Sequence, residues 1–152
     1  MLQYLLFFLL KAQALCWFPD GTPATKNEPC LSSGNSPCCG QGFACLSNGL
    51  CMLTPNDTSA GSGQSTYVRG SCTDRTWNDP HCPTFCVDPS NNDNMSGAEG
   101  VSKCDAVGNQ DIYYCIDNST SSVSDSNCAS ISNVFSFSGK GLSPKRRQRV
   151  AN

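Results

Sequence analysis

Apolar positions along the chain fall into one continuous run and a scatter of short islands. The run is Tyr4 to Leu10, and Ala12-Gln13-Ala14 follows it as a small-residue cleavage signal. This pattern predicts a secretory signal peptide over 1–14, with Leu15 opening the mature chain. Beyond it, short apolar islands are separated by Gly, Ser, Pro and Asn, with no period that would build a helix or a long strand. Three islands read as short strands: the β-prone run Ser65 to Gly70, Ile112-Tyr113-Tyr114-Cys115, and the alternating Val134-Phe135-Ser136-Phe137. Trp77, Phe85, Val87, Ile112, Tyr113 and Tyr114 are the large apolar groups of the second half, and Trp77 is expected to cover a disulfide.

Cysteine changes this picture most. The 152 residues include 12 cysteines, all from Cys16 onward, in a chain with too few large aliphatic groups for a sizeable continuous core. They divide into two sets. Cys16, Cys30, Cys38, Cys39, Cys45 and Cys51 form a first module over 15–51. Residues 52–64, polar and rich in Gly and Ser, read as a linker. Cys72, Cys82, Cys86, Cys104, Cys115 and Cys128 form a second module over 65–138, and a disordered basic tail occupies 139–152. The predicted fold is therefore small and disulfide-rich, mostly loops with short β-hairpins in two cysteine modules. Each bridge contributes about 2–4 kcal/mol, chiefly by restricting the unfolded chain. Spacing alone leaves the connectivity open, except that Cys38 and Cys39 diverge and do not bond each other.

Charge narrows the partners. Setting aside Lys11 and the tail residues Lys145, Arg146, Arg147 and Arg149 leaves five basic against twelve acidic residues, so the body repels polyanions and nucleic acid is not expected. No apolar run after Cys128 is long enough to span a bilayer. Asn56, Asn94 and Asn118 open Asn-x-Ser/Thr sequons in polar loops, as in a glycosylated secreted protein. Lys145-Arg146-Arg147 in the tail reads as a solvated segment or a dibasic processing site.

With these residues in place, the chain resembles a family of cysteine-rich secreted or cell-surface proteins of filamentous fungi. The resemblance runs through Cys16-Trp17-Phe18-Pro19-Asp20-Gly21, Cys38 to Cys51, Tyr67 to Trp77, Cys82 to Cys86, Gly97 to Val101 and Tyr113-Tyr114-Cys115. That family has no established activity to carry over. Many members resemble wall-stress sensors in layout, with a Ser/Thr-rich stalk, a membrane helix and a basic tail after this ectodomain. Where members often show a doubled cysteine, this chain has Cys115-Ile116. The first module also resembles inhibitor-knot and hevein-type modules in its order of cysteines. That likeness implies Cys16–Cys39, Cys30–Cys45 and Cys38–Cys51.

Candidate chemistry is sparse. Chitin binding is the sharpest expectation from the hevein-like spacing, with Trp17, Phe18 and Phe43 as candidate ligand contacts, although packing on the disulfides is the favoured role for Trp17 and Phe18. Asp88, Ser90, Asn92, Asn94, Ser96 and Glu99 follow calcium-loop offsets, but Asp93 stands where the loop requires glycine, so a solvated acidic loop is expected and no metal. His81 is the only histidine, no serine lies in a G-x-S-x-G elbow, and Cys82-Pro-Thr-Phe-Cys86 has three intervening residues, so neither catalysis nor a cofactor is expected. The expected function is a non-enzymatic binding or structural module, secreted to the fungal cell surface or wall. Its partners would be wall polysaccharide or an extracellular protein. The alternatives are a secreted effector that binds a host protein and a small chitin-binding lectin.

Overall fold

The computed structural model describes residues 15–55, 57–107, 110–116, 131 and 134–137. The signal peptide, the basic tail, Asn56, Asn118 and Cys128 lie outside the described residues. Among the described residues, nine strands and two single 3₁₀ turns make up the regular structure. The strands are β1 (Asn27–Pro29), β2 (Pro37–Gly40), β3 (Phe43–Cys45), β4 (Cys51–Leu53), β5 (Tyr67–Arg69), β6 (Ser71–Cys72), β7 (Glu99–Val107), β8 (Gln110–Ile116) and β9 (Val134–Ser136). The three strands expected from the islands are β5, β8 and β9. A three-stranded sheet runs β1-β2-β6 and a six-stranded sheet runs β3-β4-β5-β7-β8-β9, with every pairing antiparallel.

The two cysteine modules share both sheets. Strand β2 pairs with β6 and β4 pairs with β5, so the stretch read as a linker joins hydrogen-bonded neighbours. Met52 and Leu53, at the start of that stretch, continue β4, and Leu53 N–H donates to Thr66 O at 2.8 Å. The core explains why. Leu46 and Leu50 from the first half pack with Phe85, Cys86, Val101 and Tyr113 from the second. Neither half alone has enough large apolar groups to bury. Of the expected apolar cluster, Phe85 and Tyr113 are in this core, and Phe135 and Phe137 pack against them. Trp77 is half-buried; its Nε1–H donates to Trp17 O at 3.0 Å, and the Arg69 guanidinium lies 5.7 Å from its ring centroid.

Gly70 makes the passage from one sheet to the other. A Cβ there would stand 2.1 Å from Cys38 O and 2.9 Å from Cys51 Sγ, so only glycine lets β5 run directly into β6 across the back of β2.

Five disulfides lie among the described residues: Cys16–Cys38, Cys30–Cys45, Cys39–Cys51, Cys72–Cys82 and Cys86–Cys115. Cys104 is also disulfide-bonded. The Cys30–Cys45 bridge agrees with the pairing that the knot-like resemblance implies, whereas Cys38 and Cys39 exchange partners. The alternation of β2 is the reason. Successive side chains of a strand point to opposite faces. Cys38 turns toward Cys16 and Ala24, and Cys39 toward Phe43, Cys45, Cys51 and Val68. The Cys39–Cys51 bridge then stacks on its neighbour, with Cys30 Sγ and Cys39 Sγ 3.7 Å apart.

Candidate functional site

Two turns build an open cleft of about 310 Å³. One closes the β3–β4 hairpin: Leu46 N–H donates to Leu50 O at 2.8 Å, Gly49 takes φ 87°, and Asn48 Oδ1 accepts from Leu50 N–H at 3.1 Å. That side-chain acceptor is the means by which asparagine stabilises tight turns. The other turn is the segment Pro80 to Phe85, which contains Cys82 and so begins at the closing end of the Cys72–Cys82 loop. Between them, Phe85, Phe137, Leu46 and the prolines Pro37 and Pro83 give apolar surface, and Ser47, Asn48 and Thr84 give uncharged polar groups. Asn48 Nδ2 is buried and has no hydrogen-bond partner among the described residues.

His81 stands at this cleft with a partner that the residue pattern did not supply. Its Nδ1 lies 2.7 Å from Asp79 Oδ1, and the same oxygen accepts from His81 N–H at 2.9 Å. Asp79 also accepts from Asn35 Nδ2 at 2.7 Å, a contact between residues 44 apart in sequence. The Asn35 bond, then those from His81, hold the Asp79 carboxyl down to about 2. The pair therefore closes a turn and ties it to the first half.

A second cleft, of about 520 Å³, is acidic and lined by Asp20, Asp93, Glu99 and the 94–96 segment. Behind it Arg69 is fully buried. Its Nε donates to Cys86 O at 3.1 Å, Nη1 to Gly70 O at 3.0 Å and Gly97 O at 2.9 Å, and Nη2 to Asn94 O. Glu99 accepts from Asn94 N–H, and Asp93 from Asp88 N–H at 2.8 Å. Desolvation pulls the guanidinium down to about 10, against the opposing pull of Glu99 and Asp93, so it stays charged at neutral pH. The residues at calcium-loop offsets are thus engaged in the fold: Asp88 also caps the turn Pro89–Asn91, accepting from Ser90 N–H at 2.9 Å.

The candidate ligand contacts do not form one platform. Phe43 is 8% exposed and packed among the Cys39, Cys45 and Cys51 sulfurs, so its ring has no face for a ligand. Phe18 packs against the Cys16, Ala24 and Cys38 cluster. Trp17 is half-buried, bridged to Cys72 through backbone hydrogen bonds of 2.7 and 2.9 Å, and the Arg75 guanidinium lies 4.8 Å from its ring centroid. Asn94 has an exposed side chain whose Oδ1 accepts from Ser96 N–H at 3.2 Å.

Arg69 and Asn48 are the residues that sequence reasoning missed. Arginine in a run next to Gly70 reads as surface, and only the pairing of β5 between β4 and β7 buries it. The disulfide framework fits an extracellular protein, and among the described residues no helix is long and apolar enough to cross a membrane. Comparison with protein-family models, with curated proteins and with solved structures returns no match for this chain.

Proposed function

We propose that the chain is a secreted, N-glycosylated, non-enzymatic module of a fungal cell surface or wall, with a binding or structural role. The observation that supports this most is the covalent scaffold. Strands of mostly two to four residues are held, among the described residues, by five bridges around a small shared core, an architecture suited to oxidising surroundings outside the cell. The signal-like N-terminus and the sequon at exposed Asn94 agree with it. A hevein-type mode of chitin binding through Phe43 is not part of the proposal, because that ring is buried.

The test is expression of the full chain in a filamentous fungus. Medium, membrane and wall are fractionated, and the purified oxidised protein is sedimented with insoluble chitin and β-glucan beside a reduced, alkylated control. Recovery from medium or wall with oxidised cysteines supports the reading. Retention inside the cell as a reduced thiol protein overturns it. Secretion without retention by any wall polymer favours the diffusible effector instead.

A further inference from the structure

We propose that the cleft between the Leu46–Leu50 turn and the Pro80–Phe85 segment is a binding site for a neutral saccharide, presented as the end or a short segment of a wall polymer. The proposal rests on the extracellular, wall-facing reading above and assigns it a site. Three observations carry it.

The volume, about 310 Å³, is at the lower end of the range usual for small-ligand sites, roughly 300–1,000 Å³. Its surface has two characters. Phe137 offers a half-buried aromatic ring, backed by the buried Phe85 and Pro83, and Ser47, Asn48 and Thr84 offer uncharged hydrogen-bonding groups. Among the described residues that line it, the imidazole of His81 is the one ionisable side chain outside the disulfides. A sugar matches that division, with a C–H face for the Phe137 ring and hydroxyl or acetamido groups for the polar edge. A charged ligand would find no fixed countercharge in the lining.

The third observation is Asn48. Its Oδ1 is committed to Leu50 N–H, which orients the amide and leaves Nδ2 buried without a partner among the described residues. Leaving a buried donor unpaired is costly, so an acceptor that reaches it is favoured. A hydroxyl or acetamido oxygen bound at the cleft wall supplies the missing acceptor after a small side-chain adjustment.

The experiment is calorimetric titration of the full oxidised protein with chito-oligosaccharide and, separately, laminari-oligosaccharide, alongside a proline-rich peptide. The two sugar arms tell an acetamido from a hydroxyl ligand. Thr84→Trp fills the cleft from an exposed position and leaves the core untouched. Asn48→Asp keeps the acceptor for Leu50 N–H and removes the donor. The expected result is saccharide binding by wild type, abolished in Thr84→Trp and weakened about tenfold in Asn48→Asp. Unchanged binding in Thr84→Trp, with its disulfides and thermal midpoint intact, overturns the site while leaving the wall reading in place. Binding of the peptide alone, or of none of the three probes, overturns the ligand class. The fractionation result stands apart from either outcome.

Discussion

At the scale of single residues, the fold depends on polar groups that the cysteine pattern conceals. Arg69 donates to four backbone carbonyls and so gathers β5, Cys86 and the 94–97 segment around one guanidinium. Methionine in its place keeps an unbranched apolar stem but removes every donor, and the carbonyls are left in a site closed to water. Arg69→Met is expected to lose about 3–5 kcal/mol, read as a lower midpoint in guanidinium chloride unfolding. Lysine should rescue little of this, since a single ammonium cannot reproduce the planar fork. Asp79 gives a prediction in pH. Its carboxyl is held below its ordinary value, to about 2, by Asn35 first and His81 next. A group with a depressed folded pKa adds stability that is present above the unfolded value, near 3.8, and is lost as pH falls through about 2. Between about pH 5 and pH 2 the thermal midpoint of wild type should fall further than that of Asn35→Ala, which lacks the largest cause of the depression. Parallel curves would show that Asn35 is not that cause.

At the scale of elements, the sequence was informative where a residue pattern dictates geometry by itself. The islands at Tyr67–Arg69, Ile112–Cys115 and Val134–Ser136 are strands because β-branched and aromatic residues between turn-formers have little else to become. The divergence of Cys38 and Cys39 was equally legible. Which of them faces Cys16 was not, because that depends on where β6 and the N-terminal segment lie relative to β2, and those contacts are long-range. The pairing makes a test. Replacing Cys16 and Cys38 together with serine removes one complete bridge, with a cost of about 3 kcal/mol from loop-closure entropy and no titratable thiol left behind. Replacing Cys16 and Cys39 leaves Cys38 on β2 and Cys51 on β4 without partners, so the denatured protein should titrate two thiols. The reverse pattern of thiols would restore the knot-like connectivity. The cleft belongs to this scale too. Neither of its turns is unusual in sequence, and the site exists only because a hairpin of the first half and a loop of the second meet.

At the scale of the whole molecule, covalent and non-covalent connections follow different divisions. All six cysteines of the first half bond among themselves, and the other two described bridges stay within the second half. The disulfides therefore respect the two modules seen in the cysteine spacing. The sheets do not: β2–β6, β4–β5 and the Leu46, Leu50, Phe85, Tyr113 core all cross between them. Among the described residues, only backbone through the Gly/Ser stretch links the halves covalently. That stretch is exposed from Gly61 to Gln64, so a site-specific protease sequence inserted there should be cut without disturbing a strand. The nicked protein is expected to elute as one species from gel filtration in native buffer, held by its sheets and core. In denaturing electrophoresis without reductant the same sample should separate into two fragments. A single unreduced band would mean that a disulfide crosses the halves. Separation in native buffer would mean that the paired strands and shared core are too weak to hold the halves together, and that each module stands on its bridges alone. Co-elution with separable fragments would show that the two modules fold as one unit, which the cleft between them requires.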